Sequence, residues 1–177
     1  MFERILSQYE DKVVQQQLQI HKEAFSFSAG HFTIFSATER ETMHGHNYYV
    51  SITFDLIVEH NGLAFDYRLY KKRLQLLCDK IDRHFLLPEF SPYLRIEADS
   101  EYYYAYFDNK KMPFLKEDVV ILPLANITIE TLSAWFLKEL IQDKHEIQQH
   151  AILDVKIDVY NGLEQSGSTR LSQLITE

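Results

Sequence analysis

The chain has 177 residues, of which 46% are hydrophobic and 14% aromatic, enough to close one core, and this excludes a disordered or fibrous protein. Its 18 Lys plus Arg stand against 26 Asp plus Glu, a formal net charge of -8, so neither nucleic acid nor an anionic membrane is an expected partner. No apolar run reaches the roughly 18 residues of a membrane-spanning helix, and the start, MFERILSQYED, is acidic where a secretory signal is basic and then apolar. A lone cysteine, Cys78, suits a reducing compartment, so the expectation is a soluble, unprocessed, cytoplasmic protein.

Gly and Pro are scarce and no period repeats, so residues 1–177 read as one domain, with 1–17 as an N-terminal extension. Residues 2–14 suggest a short helix, followed by a polar Gln run. A strand follows in FSFSAGH, where Phe25 and Phe27 alternate with small residues. In NYYVSITFDLIVE, Val50, Ile52, Phe54 and Leu56 share one face, and Tyr49, Ser51, Thr53 and Asp55 the other. His60-Asn61-Gly62 is a hairpin signal that brings LAFD back alongside that strand. Tyr70, Leu74, Leu77, Cys78 and Ile81 then form the apolar stripe of a helix that ends before Pro88. Cys78 reads as a small buried hydrophobe on that stripe.

Residues 94–108 and 118–124 look like further strands. A second helix starts at Thr128, a plausible N-cap, with Leu132, Phe136 and Leu140 on one face. In ILDVKIDVY, Leu153, Val155, Ile157 and Val159 are expected inward and Asp154, Lys156 and Asp158 outward. Strands, helix, strands, helix, strand is the order of an α+β domain, an antiparallel sheet with two helices on one face.

His44-Gly45-His46 leads into the strand at Asn47, and residues i and i+2 of an extended chain project from the same face, so both imidazoles can reach one metal ion. Alone the motif is unspecific, because a chain of this composition contains it about 0.4 times by chance. His31 ends the preceding strand, and two consecutive antiparallel strands can bring it beside the pair. Three neutral imidazoles with an open fourth position is the arrangement of a catalytic zinc.

FSAGHF, HGHNY opening a strand, GLAFDY before a helix, IDRHFLLP, and T-x-E at Thr128 to Glu130 together resemble the 6-pyruvoyl-tetrahydropterin synthase family, which includes 6-carboxytetrahydropterin synthase. The resemblance runs from about Leu18 to Gly167. It implies a tunnelling fold, four antiparallel strands with two helices on one side, assembled as a homo-oligomeric barrel of three or six chains. It also implies that His31, His44 and His46 bind zinc and that the small-molecule substrate is a pterin, 7,8-dihydroneopterin triphosphate.

The family's pyruvoyl- and carboxy-forming members carry a cysteine shortly before HGH, and here that loop reads SATERETM without one. Glu41 instead gives E-x-x-HGH, similar to the branch that uses a glutamate and yields 6-hydroxymethyl-7,8-dihydropterin, while Arg40 occupies the position of the carboxy-forming branch's cysteine. The family's Leu-Asp-His relay becomes Ile81-Asp82-Arg83, with His84 one residue late. The resemblance therefore implies Glu41, Asp82 and His84 as catalytic candidates.

A pterin's 2-amino group and N3-H are adjacent donors that suit a carboxylate. The family supplies a glutamate after its last strand, where this chain has Asn161 and, three residues later, Glu164. Glu164 is the preferred substrate-binding residue, with Thr128 and Glu130 contributing. Asp66 is expected to cap the helix that follows it. The alternative reading is a non-catalytic, zinc-containing T-fold protein that binds a pterin or purine, and Glu41 is the residue that separates the two.

Overall fold

The computed structural model describes residues 14–58, 62–162 and 164–174. The helix expected over 2–14 falls outside them but for its last residue, and the Gln run after it is the first part of a long strand. That strand, β1 (Val14–His31), pairs antiparallel with β2 (His44–Val58) along most of its length, slipping register between His21 and Ser26. Val50, Ile52, Phe54 and Leu56 are buried on one face of β2 as the alternation predicts. On the other face Ser51 and Thr53 are buried too, and Ser51 and Lys156 both reach the buried Asp158 carboxylate.

The chain then crosses the sheet in α1 (Arg68–Ile81), which buries Tyr70, Leu74, Cys78 and Ile81. LAFD does not pair with β2; its Phe65 turns into the core instead, edge-on to Phe54 and Tyr70 at 5.2 and 5.5 Å. Of the expected turn, His60 and Asn61 lie outside the described residues, and Gly62 has a φ of 71°. Asp66 lies one residue outside the N-cap, Tyr67, which has no side-chain cap bond; its carboxylate accepts the Arg68 amide N–H instead of capping as expected.

After α1 the expectation of a purely antiparallel sheet is corrected. Arg83 takes a left-handed φ of 59° and turns the chain into β3 (His84–Pro88), which runs parallel to β1 with Ala29 opposite His84. A small antiparallel sheet of β4 (Arg95–Ala98), β5 (Tyr102–Phe107) and β6 (Lys110–Leu115) comes next, and β7 (Val119–Leu122) then pairs parallel to β3. Helical and inserted crossovers return the chain to the same end of the sheet, which makes these additions parallel.

The second helix, α2 (Ile129–Leu140), begins at an N-cap Thr128 whose hydroxyl accepts the Thr131 amide, and it buries Leu132, Phe136 and Leu140 as expected. A short α3 (Lys144–Gln149) leads into β8 (Ile152–Asn161), and β9 (Gln165–Arg170) and α4 (Leu171–Leu174) close the described chain. The sheet order is β7-β3-β1-β2-β8-β9, with β1, β2, β8 and β9 the four antiparallel strands that the resemblance implied, though β9 was not legible as a strand in the sequence. Leu153 is 51% exposed rather than inward, because a slip opposite Asp55 and Leu56 gives its place to Ile152.

Two cores result. The larger lies between the sheet and α1 and α2; the smaller, with Phe32, Leu87, Phe107, Met112 and Val119, lies between β3, β7 and the inserted three-stranded sheet. No helix among the described residues is long and apolar enough to cross a membrane.

Candidate metal centre and active site

The register of the first two strands builds the site. Ala29 faces His46, Gly30 faces Gly45 and His31 faces His44, so strand alternation places all three imidazoles on the helix-covered face with Phe27 and Tyr48. Behind them Gly30 lets Phe85 press against the strand, since a Cβ there would meet the Phe85 ring at 2.6 Å. Tyr48 stacks on Phe27 at 4.8 Å and forms a floor, its ring 6.1 Å from His31 and 5.7 Å from His46.

One nitrogen from each of His31, His44 and His46 lies within 4.8 Å of the others, against roughly 3.3 Å between the nitrogens around a tetrahedral zinc. The His31 Nδ1–H donates to the Ile127 carbonyl at 3.0 Å and the His44 Nδ1–H to the Thr42 carbonyl at 2.8 Å. Both rings thereby present Nε2 as a free lone pair, the usual way an outer hydrogen bond fixes a ligand's tautomer. His31 Nε2 is buried without any hydrogen-bond partner. A buried orphan acceptor facing two further imidazoles fits a metal ion well. Burial, with the nearby His44, holds the His31 and His46 imidazoles below their ordinary pKa and so in the neutral, ligating form.

Glu41 joins this cluster from the β1–β2 loop, Oε2 being 3.9 Å from His44 Nε2. The Thr33 amide donates to Oε2 at 2.9 Å, and the Glu41 amide donates back to the Thr33 carbonyl at 2.9 Å. Burial raises the Glu41 pKa, but the Thr33 hydrogen bonds and the two histidines outweigh it and hold the carboxyl below its usual value. The loop is also clamped by Asn126, whose side chain accepts from the Ile34 amide at 3.1 Å and donates to the Ile34 carbonyl at 2.9 Å. Sequence reasoning missed Thr33 and Asn126: Thr33 acts through its own main chain, and Asn126 grips main-chain groups 92 residues away.

The remaining candidates fall in different places. Asp82 spends its carboxylate on the Ser28 amide and on Arg83 Nε, while the His84 Nδ1–H donates to the Asp82 main-chain carbonyl at 2.7 Å. An Asp-His link therefore exists through the backbone rather than the carboxylate. His84 stands two strands from His46, with Ala29 between them, roughly 10 Å away by strand spacing, and both line a cavity of about 480 Å³. Thr128 follows Ile127, the residue that holds His31, and Glu130 is exposed in the first turn of α2. Glu164 is exposed in the β8–β9 turn, at the same sheet end as the triad because Asn161 pairs with Tyr48; no contact ties it to the imidazoles. Cys78 is buried in the core, and burial pushes its thiol up to about 12. A thiol reagent at neutral pH should therefore leave the folded protein unlabelled and modify Cys78 only on denaturation, and Cys78→Ala should stay active. Rapid native labelling that abolished turnover would restore a thiol mechanism.

The model of the 6-pyruvoyl tetrahydropterin synthase family matches residues 19–168. The chain is 26% identical over 147 residues, 81% of its length and 88% of the relative's, to a putative 6-carboxy-5,6,7,8-tetrahydropterin synthase of Methanocaldococcus jannaschii. It superimposes on the 6-pyruvoyltetrahydropterin synthase of Plasmodium vivax with a TM-score of 0.83 at 26% identity, covering 89% of this chain and 98% of that one. The Plasmodium falciparum enzyme matches equally, with a TM-score of 0.83, 27% identity, and 88% and 97% coverage. The Plasmodium vivax protein was also solved as variants in which a glutamate, described as a catalytic residue, is replaced by alanine or cysteine. The chain thus belongs to the 6-pyruvoyl tetrahydropterin synthase family and is a pterin lyase of that family.

Proposed function

We propose that the protein is a zinc-dependent lyase that cleaves the side chain of 7,8-dihydroneopterin triphosphate to 6-hydroxymethyl-7,8-dihydropterin. The observation that carries this reading is the Glu41 carboxylate 3.9 Å from His44 Nε2, in the loop where the family's other branches place a cysteine, while the chain's own Cys78 is buried in the core. The glutamate described as catalytic in the Plasmodium vivax relative supports the same role for Glu41.

His31, His44 and His46 would hold the metal. Bound there, zinc would supply a Lewis acid that acidifies the two side-chain hydroxyls. Glu41, ionised at neutral pH, takes the proton of the hydroxyl on the second side-chain carbon. That oxygen becomes an aldehyde as the bond between the first and second carbons breaks, and the electron pair passes into the dihydropterin ring. His84, oriented through the Asp82 carbonyl, returns a proton to the first carbon, leaving a hydroxymethyl group. Glu164, Thr128 and Glu130 would bind the pterin ring, a carboxylate accepting from its 2-amino group and N3-H.

Assembly into a trimer or hexamer belongs to this reading, because β7 and β9 leave both edges of the sheet open. Incubation with 7,8-dihydroneopterin triphosphate and mass analysis of the products is the test. The reading requires 6-hydroxymethyl-7,8-dihydropterin and a phosphorylated two-carbon aldehyde. A 6-pyruvoyl or 6-carboxy product would refute it, and tight binding without turnover would favour the non-catalytic alternative.

A further inference from the structure

The loop over 32–43 joins the two strands that carry the histidines, and Arg40, next to Glu41, is its most heavily engaged side chain. Its Nη1 donates to the Glu41 carbonyl at 2.6 Å and its Nη2 to Met112 Sδ at 3.4 Å. The guanidinium carbon lies 4.7 Å from the Phe32 ring centroid and 5.8 Å from that of Phe107. Phe107 and Met112 belong to β5 and β6, so this planar cation ties the loop to the inserted three-stranded sheet, beside the apolar packing of Phe32 and Ile34 on the same sheet. A bridge between Ile34 and Arg40 closes the loop's neck.

We propose that Arg40 is a positioning residue that clamps the main chain of Glu41 against the inserted sheet, so that the carboxylate stays beside His44; this rests on Glu41 being the base. The Thr33 bonds hold Glu41 from one side, by its amide and its Oε2. They leave rotation about the Glu41 carbonyl unopposed, and Arg40 occupies that carbonyl. Only a planar fork does this while stacked on one ring and facing another, since an ammonium presents a point charge and cannot bond carbonyl and sulfur from a stacked plane. The stacking also explains why a cation is held among Phe32, Phe107 and Met112: these groups fix the orientation in which Nη1 meets the carbonyl.

The test uses the zinc-loaded full chain with Arg40→Lys, Arg40→Met, Glu41→Gln and the double variant Arg40→Met/Glu41→Gln. Both Arg40 variants should keep about one zinc per chain and a KM within about twofold of the parent, and lose roughly 10- to 100-fold in kcat, the effect of displacing a reacting group by about 1 Å. The double variant should be no slower than Glu41→Gln alone, because Arg40 acts only through that carboxylate. Parental kcat in both Arg40 variants, with Glu41→Gln inactive, would overturn the clamp and leave the functional reading standing. A further multiplicative loss in the double variant would also overturn it. Parental activity in Glu41→Gln would remove both proposals together. Loss of fold in both Arg40 variants would make Arg40 a packing residue and end the proposal as well.

Discussion

Glu41→Gln should retain zinc and pterin affinity and lose on the order of 10² to 10⁴ in turnover, the usual share of a positioned proton acceptor. The amide is isosteric and its oxygen can still accept the Thr33 amide N–H that now reaches Oε2, so the loop keeps its hydrogen bond while the proton acceptor is gone. Steady-state kinetics with metal analysis of the same sample reads both quantities. Turnover indifferent to the change would assign the proton to another group, with His84, which lines a cavity with His46, as the candidate.

The second large effect is expected at the metal. His44→Ala should reduce zinc from about one per chain to a small fraction of that and lower kcat/KM by roughly 10³ or more, since a metal contributes several kcal/mol of charge stabilisation and each 1.36 kcal/mol is tenfold. His44 is only partly buried, opens its strand, and makes its ring hydrogen bond to a nearby loop carbonyl, so the fold should survive. His31 is the poorer choice, being 5% exposed, because its loss would open a buried void. Full retention of zinc in a folded His44→Ala protein would refute the three-histidine centre.

The parts of this molecule that alternate were legible in its sequence. The buried face of β2, the stripes of the two main helices and the cap at Thr128 follow from periods of 2 and 3.6 and one hydroxyl. The clustering of the three histidines was legible for the same reason, since His44 and His46 share a face by spacing and His31 needed only the pairing of neighbouring strands. The strand β3, buried on both sides, was not. Its Leu86 faces the larger core and its Leu87 the smaller, so no polar face marks it. Pro113 within β6 disguised that strand, which is tolerated at the edge of its small sheet.

The slip that turned Leu153 outward depends on pairing across the sheet, which a single strand's pattern does not encode. The supports of the active loop were hidden for a related reason. Asn126 grips main-chain groups 92 residues away, Thr33 acts through its own main chain, and Arg40 packs against residues more than sixty positions downstream, so none forms a local motif.

The central claim, carbon-carbon cleavage of the dihydroneopterin side chain, is tested most directly by running the reaction to completion in deuterium oxide and analysing the pterin product by mass. Cleavage between the first and second side-chain carbons, followed by proton return from an exchangeable group, predicts 6-hydroxymethyl-7,8-dihydropterin carrying one non-exchangeable deuterium on its hydroxymethyl carbon. A pterin that retains more than one side-chain carbon, or a hydroxymethyl product without that deuterium, would contradict the account.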